Sequence, residues 1–188
     1  DSTDFLGTIR MKGLPNFFAT HISGNVERMN FTYEDISEFY IPTPNCKIPL
    51  PESLNVLKDV LLSGSYEGFH NNFRTEFNLH TNIGNIYLKG NLNNDLRAVS
   101  KPEYNATIFT NNLKVNSLLG MKDDIVVTMK SKLEGEGLSK KQADMELLLD
   151  VEHLTLFDNK FNNFDIKGDF ENQRFIVATN INERYLKT

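Results

Sequence analysis

A chain of 188 residues with 20 basic and 25 acidic side chains, a formal charge of −5 and no run of basic residues longer than two offers nucleic acid and anionic headgroups no electrostatic hold. Its one cysteine, Cys46, excludes an internal disulfide and a CxxC metal or redox site. No apolar stretch approaches the roughly 18 residues of a membrane-spanning helix, and 23 asparagines take places that apolar and charged residues fill in an average globular chain.

The opening, DSTDFLGTIRMKG, is not a signal peptide and is in strand alternation by residue 5. The closing INERYLKT also reads as mid-chain sequence, so 1–188 is expected to be an internal part of a longer chain, with segments near 1–62, 63–119 and 120–188. Any targeting segment or membrane anchor then lies outside it. Four prolines between Ile41 and Pro51 make that stretch irregular, an edge wrap at most. From Pro51 to Leu62 the spacing of Leu54, Leu57 and Leu61 predicts a short helix with proline in its first turn.

Period two then dominates. Phe73, Thr75, Phe77, Leu79, Thr81 and Ile83 alternate with polar residues, Gly84-Asn85 breaks the run, and Ile86, Leu88, Gly90 and Leu92 resume it as a hairpin partner. After a turn at Asn93-Asn94-Asp95, Tyr104, Ala106, Ile108 and Thr110 form another strand, and Asn116 to Gly120 reads as one helical turn ended by glycine. Ile125, Val127, Met129, Ser131 and Leu133 share a face. So do Met145, Leu147, Leu149 and Val151, then Phe164, Ile166, Gly168 and Phe170. Asn172-Gln173 turns the chain into Phe175, Val177, Thr179 and Ile181. About ten strands, with no connection suited to a parallel crossover, predict an all-β fold: a curled antiparallel sheet with one or two short helical segments. The segments MKGLPNFFAT, YEGFHNNFRT and, more loosely, GEGLSKKQAD form a weak repeat of glycine-led turns, unevenly spaced.

Catalytic and metal constellations are missing from this pattern. No two of His21, His70, His80 and His153 have a metal-ligand spacing, and no serine lies in GxSxG. Asp123-Asp124 and Asp158-Asn159 are turn residues without the alternating oxygen ligands of a calcium loop. No catalytic residue, metal ligand or cofactor site is assigned. The sequons Asn30-Phe31-Thr32 and Asn105-Ala106-Thr107 are formal matches of a short motif. The 14 phenylalanines either pack strand ends or line an apolar groove. Strand parity places Phe73, Phe77, Leu79, Ile83, Ile86, Leu88, Ile108, Ile125, Val127, Met129, Leu147, Leu149, Ile166 and Phe170 on one inward face. That face is covered by a second sheet, by curling, or by lipid.

The stretch 61–92, LLSGSYEGFHNNFRTEFNLHTNIGNIYLKGNL, carries Gly64, Gly68-Phe69, Asn71-Asn72-Phe73 and Thr81-Asn82-Ile83-Gly84 in the order of a glycine-led strand, a polar N-[DN]-F step and a T-N-x-G turn. With Tyr104–Gly120, Glu134–Leu138 and LPESLNVLKDV it resembles the TamB family (translocation and assembly module, inner-membrane subunit; AsmA-like) of the Bacteroidota. The proline-rich 41–51 stretch departs from that pattern. The resemblance implies a β-taco with an apolar groove, in a protein anchored in the inner membrane and crossing the periplasm. It further implies phospholipid transport to the outer membrane and support of outer-membrane assembly, with phospholipid acyl chains and a BamA-like barrel as partners. The family brings no catalytic residues. Two other readings stay open: a structural or adhesion module with a filled core, and a β-sandwich hydrolase whose carboxylates converge on a cleft.

Overall fold

The structure, a computed structural model, describes residues 3–38, 40–41, 46–47, 50–94, 101–139, 141–171 and 173–181. Ten strands form one open antiparallel sheet: β1 (Asp4–Lys12), β2 (His21–Phe31), β5 (Val60–Phe69), β6 (Asn72–Thr81), β7 (Gly84–Asn93), β8 (Glu103–Lys114), β9 (Ile125–Glu136), β10 (Asp144–Leu156), β11 (Asn159–Glu171) and β12 (Arg174–Ile181). Their order in space is their order in sequence, a meander that never closes into a barrel. Two short strands, β3 (Tyr40–Ile41) and β4 (Cys46–Lys47), pair with each other in a separate small sheet. Most of the proline-rich stretch lies outside the described residues.

Connections alternate between two ends of the sheet. One end carries the tight turns of β5–β6 and β11–β12 and the loops 13–20 and 137–143, where the three repeat segments fall. Two of those segments touch: the His70 ring sits 4.9 Å from Phe18 and 6.4 Å from Phe17. The opposite end carries helix α1 (Tyr33–Ser37), a 3-10 segment at Glu52–Val56 and helix α2 (Val115–Leu119). Thr32 caps α1 reciprocally with Asp35, and this hydrogen bonding holds the Asp35 carboxyl below its ordinary value.

Three expectations are corrected here. The helix expected over 51–62 is a single 3-10 turn, Glu52–Val56, because Val60, Leu61 and Leu62 pair with Thr81, His80 and Leu79 as the start of β5. The turn expected at Gly84-Asn85 falls at Asn82-Ile83, and Gly84 opens β7. Ile83 is therefore a turn residue, although a buried one. The Thr81 hydroxyl fixes the reversal, donating to the Gly84 carbonyl at 2.6 Å and accepting from Ile83 N–H at 3.2 Å. Asn82 ties the turn to the 3-10 segment, donating to the Val56 carbonyl at 3.0 Å and accepting from Lys58 N–H at 3.2 Å.

The densest packing lies at this end. Ile83, Leu113, Val127 and Val151 form a buried cluster, with Val56, Leu57, Val115 and Leu118 of the cap packed on it. Elsewhere, among the described residues, the sheet is a single layer. The chain exposes 13408 Å², half as much again as the roughly 9,200 Å² of a compact 21.5 kDa chain.

A candidate apolar face

Directly opposed residues of neighbouring strands point to the same side of a sheet. Following the register gives four rows, three of which cross all ten strands. One runs Met11, Ile22, Gly68, Phe73, Leu92, Tyr104, Gly135, Met145, Phe170, Phe175. The next runs Ile9, Gly24, Tyr66, Thr75, Gly90, Ala106, Leu133, Leu147, Gly168, Val177. The third joins Gly7 and Val26 through Gly64, Phe77, Leu88, Ile108, Ser131, Leu149 and Ile166 to Thr179. The fourth starts at Phe5 and Met29 and passes Leu62, Leu79, Ile86, Thr110, Met129, Val151 and Phe164. At about 4.8 Å per strand the first three rows are roughly 43 Å long.

All fourteen residues expected on the inward face lie on this side of the sheet. Ile83 and Val127 are buried and the other twelve are half-buried. Phe73, Phe77, Leu79, Ile86, Leu88 and Ile108 belong to β6–β8; Ile125, Met129, Leu147, Leu149, Ile166 and Phe170 belong to β9–β11. Ile83 and Val127 sit under the cap; Phe73 and Phe170 lie in the row farthest from it. The face also takes Met11, Ile22, Phe175 and Val177 of the outer strands, which were not among the fourteen, and it carries the polar residues Thr75, Thr110 and Ser131.

Bulges keep the face in phase. The apolar positions slip from two residues apart to three at Val26–Met29, Thr110–Leu113 and Val151–Leu154. Each slip leaves a polar pair on the other side, and each adds bend and twist to the strand. Aromatic rings lie over glycines of the neighbouring strand. At Gly64, with φ of +142°, an added Cβ would fall 2.0 Å from the Glu76 carbonyl and 2.8 Å from the Phe77 ring. At Gly168 it would meet the Phe175 ring at 2.9 Å. Gly84 and Gly90 stand in the same way against the backbone of β8.

The opposite face is polar. A solvent-open concavity of about 1120 Å³ is lined there by Arg10, His21, Glu67, Arg74, Glu76 and Lys89 among others. Lys89 bridges Glu76 at 3.0 Å and the Tyr87 hydroxyl donates to Glu76 at 3.0 Å. The Lys89 hydrogen bond, then that of Tyr87, holds the Glu76 carboxyl below its ordinary value, and the same carboxylate raises Lys89. His80 and His153 lie exposed on this face, hydrogen-bonded to Asn85 and Asn162. Among the described residues no three His, Cys, Asp or Glu side chains converge as metal ligands.

What these observations define is a class of architecture: an open single-layer antiparallel sheet, capped at one end of its strands, with one apolar and one polar face. Comparison with protein-family models, curated proteins and solved structures returned no match.

Proposed function

We propose that this chain is a segment of an envelope protein that carries phospholipid on its apolar face, in the manner of the TamB family its turn motifs resemble. The observation that supports this reading is the continuity of that face: four apolar rows across the hydrogen-bonded strands, with no second layer over them, among the described residues, beyond the end cap. Acyl chains need only apolar surface, at about 0.8 kcal/mol per buried CH₂, and they would move across the strands along the rows. In the full-length protein the segment would stand in the periplasm on an inner-membrane anchor and support outer-membrane assembly with a BamA-like barrel. A filled structural module needs a covering layer that the described residues do not supply.

Binding of a fluorescent fatty acid to the purified chain tests the reading, with native mass spectrometry for co-purifying lipid. Leu149→Asp puts a charge among the rows and is expected to abolish binding. Leu148→Asp, one residue away on the polar face, is expected to leave it intact. Equal binding by both variants, or none by the parent chain, would overturn the assignment.

A further inference from the structure

The concavity on the polar face has an order of its own. Much of its lining falls into two rows, directly opposed from strand to strand across β1, β2, β5, β6, β7 and β8. One runs Thr8, Asn25, Ser65, Glu76, Lys89, Thr107. The other runs Arg10, Ser23, Glu67, Arg74, Asn91, Asn105. Each row spans roughly 24 Å at about 4.8 Å per strand, and the two lie about 7 Å apart. Seven of these twelve side chains are amides or hydroxyls, which both donate and accept hydrogen bonds. Beyond β8 the first row continues as Lys132, Leu148, Lys167 and Ala178. The second continues as Glu134, Glu146, Asp169 and Ile176, so these eight positions hold no amide and no hydroxyl. Contact with water asks only for polarity, which charged side chains supply as well. The change of character after β8 therefore confines the uncharged hydrogen-bonding groups to the concavity.

We infer that this concavity is a binding groove for a neutral oligosaccharide. Backbone groups within a sheet are committed to strand pairing, so recognition on its face falls to side chains. Charge in the groove is offset locally: Lys89 bridges Glu76 at 3.0 Å, and Glu67 stands directly opposite Arg74. The two carboxylates repel a polyanion, and the rows offer a hydrocarbon no Leu, Ile, Val or Met. The array that remains matches sugar hydroxyls, each of which also donates and accepts. An aromatic margin completes the groove. Phe69 is 39% exposed, with the His21 ring edge-on at 5.2 Å, and gives the C–H face of a sugar ring an apolar platform. At about 1120 Å³ the space lies at the top of the range for compact ligands, roughly 300–1,000 Å³. Its volume and the length of its rows suit a chain of several rings rather than a monosaccharide.

Isothermal titration calorimetry of the whole 188-residue chain with cellohexaose, maltohexaose and chitohexaose tests this. At least one of the three is expected to bind, with an affinity that added salt leaves unchanged, since the sugar brings no charge. Asn91→Ala combined with Asn105→Ala removes two adjacent amides and is expected to weaken that binding about tenfold, with the urea midpoint in place. Asp169→Ala, in the same row on β11, is expected to bind as the parent does. Leu149→Asp, on the opposite face, is expected to lose fatty acid and keep the sugar, which separates this proposal from the lipid reading. Binding of none of the three sugars would overturn the proposal, as would an unchanged affinity in the Asn91/Asn105 variant. So would tighter binding of heparin that falls steeply with salt, which would make the groove a cation site for polyanions.

Discussion

Thr110 illustrates how a polar side chain belongs on an apolar face. It is 5% exposed and stands where β8 slips register against β9. Its hydroxyl donates to the Val127 carbonyl at 3.3 Å and accepts from Met129 N–H at 3.2 Å, so it fills backbone bonds that the bulge would leave open. On the other side of the bulge, Asn112 N–H donates to the Thr128 hydroxyl at 3.0 Å. Thr110→Val keeps the shape and removes both bonds of the hydroxyl, which is expected to cost about 1–3 kcal/mol, read as a lower urea midpoint with unchanged slope. Thr110→Ser retains the hydroxyl and is expected to recover most of that loss. At this scale the sequence was partly legible. Period two set Thr110 in one alternating run with Ile108, but an unbroken alternation cannot anticipate the slip. The signal was available as inward residues three apart around a polar pair: Val26 and Met29, Thr110 and Leu113, Val151 and Leu154.

Among the elements, strands were legible where one face is buried, since a one-residue shift would turn every apolar side chain outward. The capping segments were legible only when they carried their own punctuation. Helix α2 ends at Gly120 with φ of +63°, as a glycine after a helical turn leads one to expect. The Pro51–Leu62 helix was overestimated because Leu54, Leu57 and Leu61 share helical spacing, while the competing β-pairing of Val60 to Leu62 comes from strands far along the chain. An added Cβ at Gly120 meets nothing within 4 Å, so Gly120→Ala tests backbone strain alone. It is expected to cost about 1 kcal/mol, measured by thermal or urea unfolding. Gly120→Asn is expected to cost less, since asparagine tolerates the left-handed region. Loss from both variants in equal measure would mean that α2 is held by its contacts with the Glu52–Val56 segment rather than by its cap.

For the whole molecule, the open sheet separates two chemistries that a layered domain would mix. Basic and acidic side chains on the polar face pair with each other, as in Lys89 with Glu76 and Lys167 with Glu146, and the net charge is −5. The apolar rows carry no charge at all. A ligand held on those rows is therefore expected to bind through burial of hydrocarbon, with no group placed to select its head. The sequence composition carried this half of the argument. The extent of the uncovered face did not follow from it, because alternation shows that a face is apolar and not what lies against it. The expected outcome is equal affinity for zwitterionic and anionic phospholipids of the same chain length, in vesicle partition or native mass spectrometry. Raising salt should leave that affinity unchanged or slightly higher, since hydrocarbon burial does not weaken with ionic strength. Affinity should rise with acyl length, approaching about 0.8 kcal/mol for each CH₂ that reaches the rows. A preference for anionic headgroups that falls steeply with salt would move the ligand to Arg10, Arg74 and Lys89 on the polar concavity, and would remove the apolar face from the function.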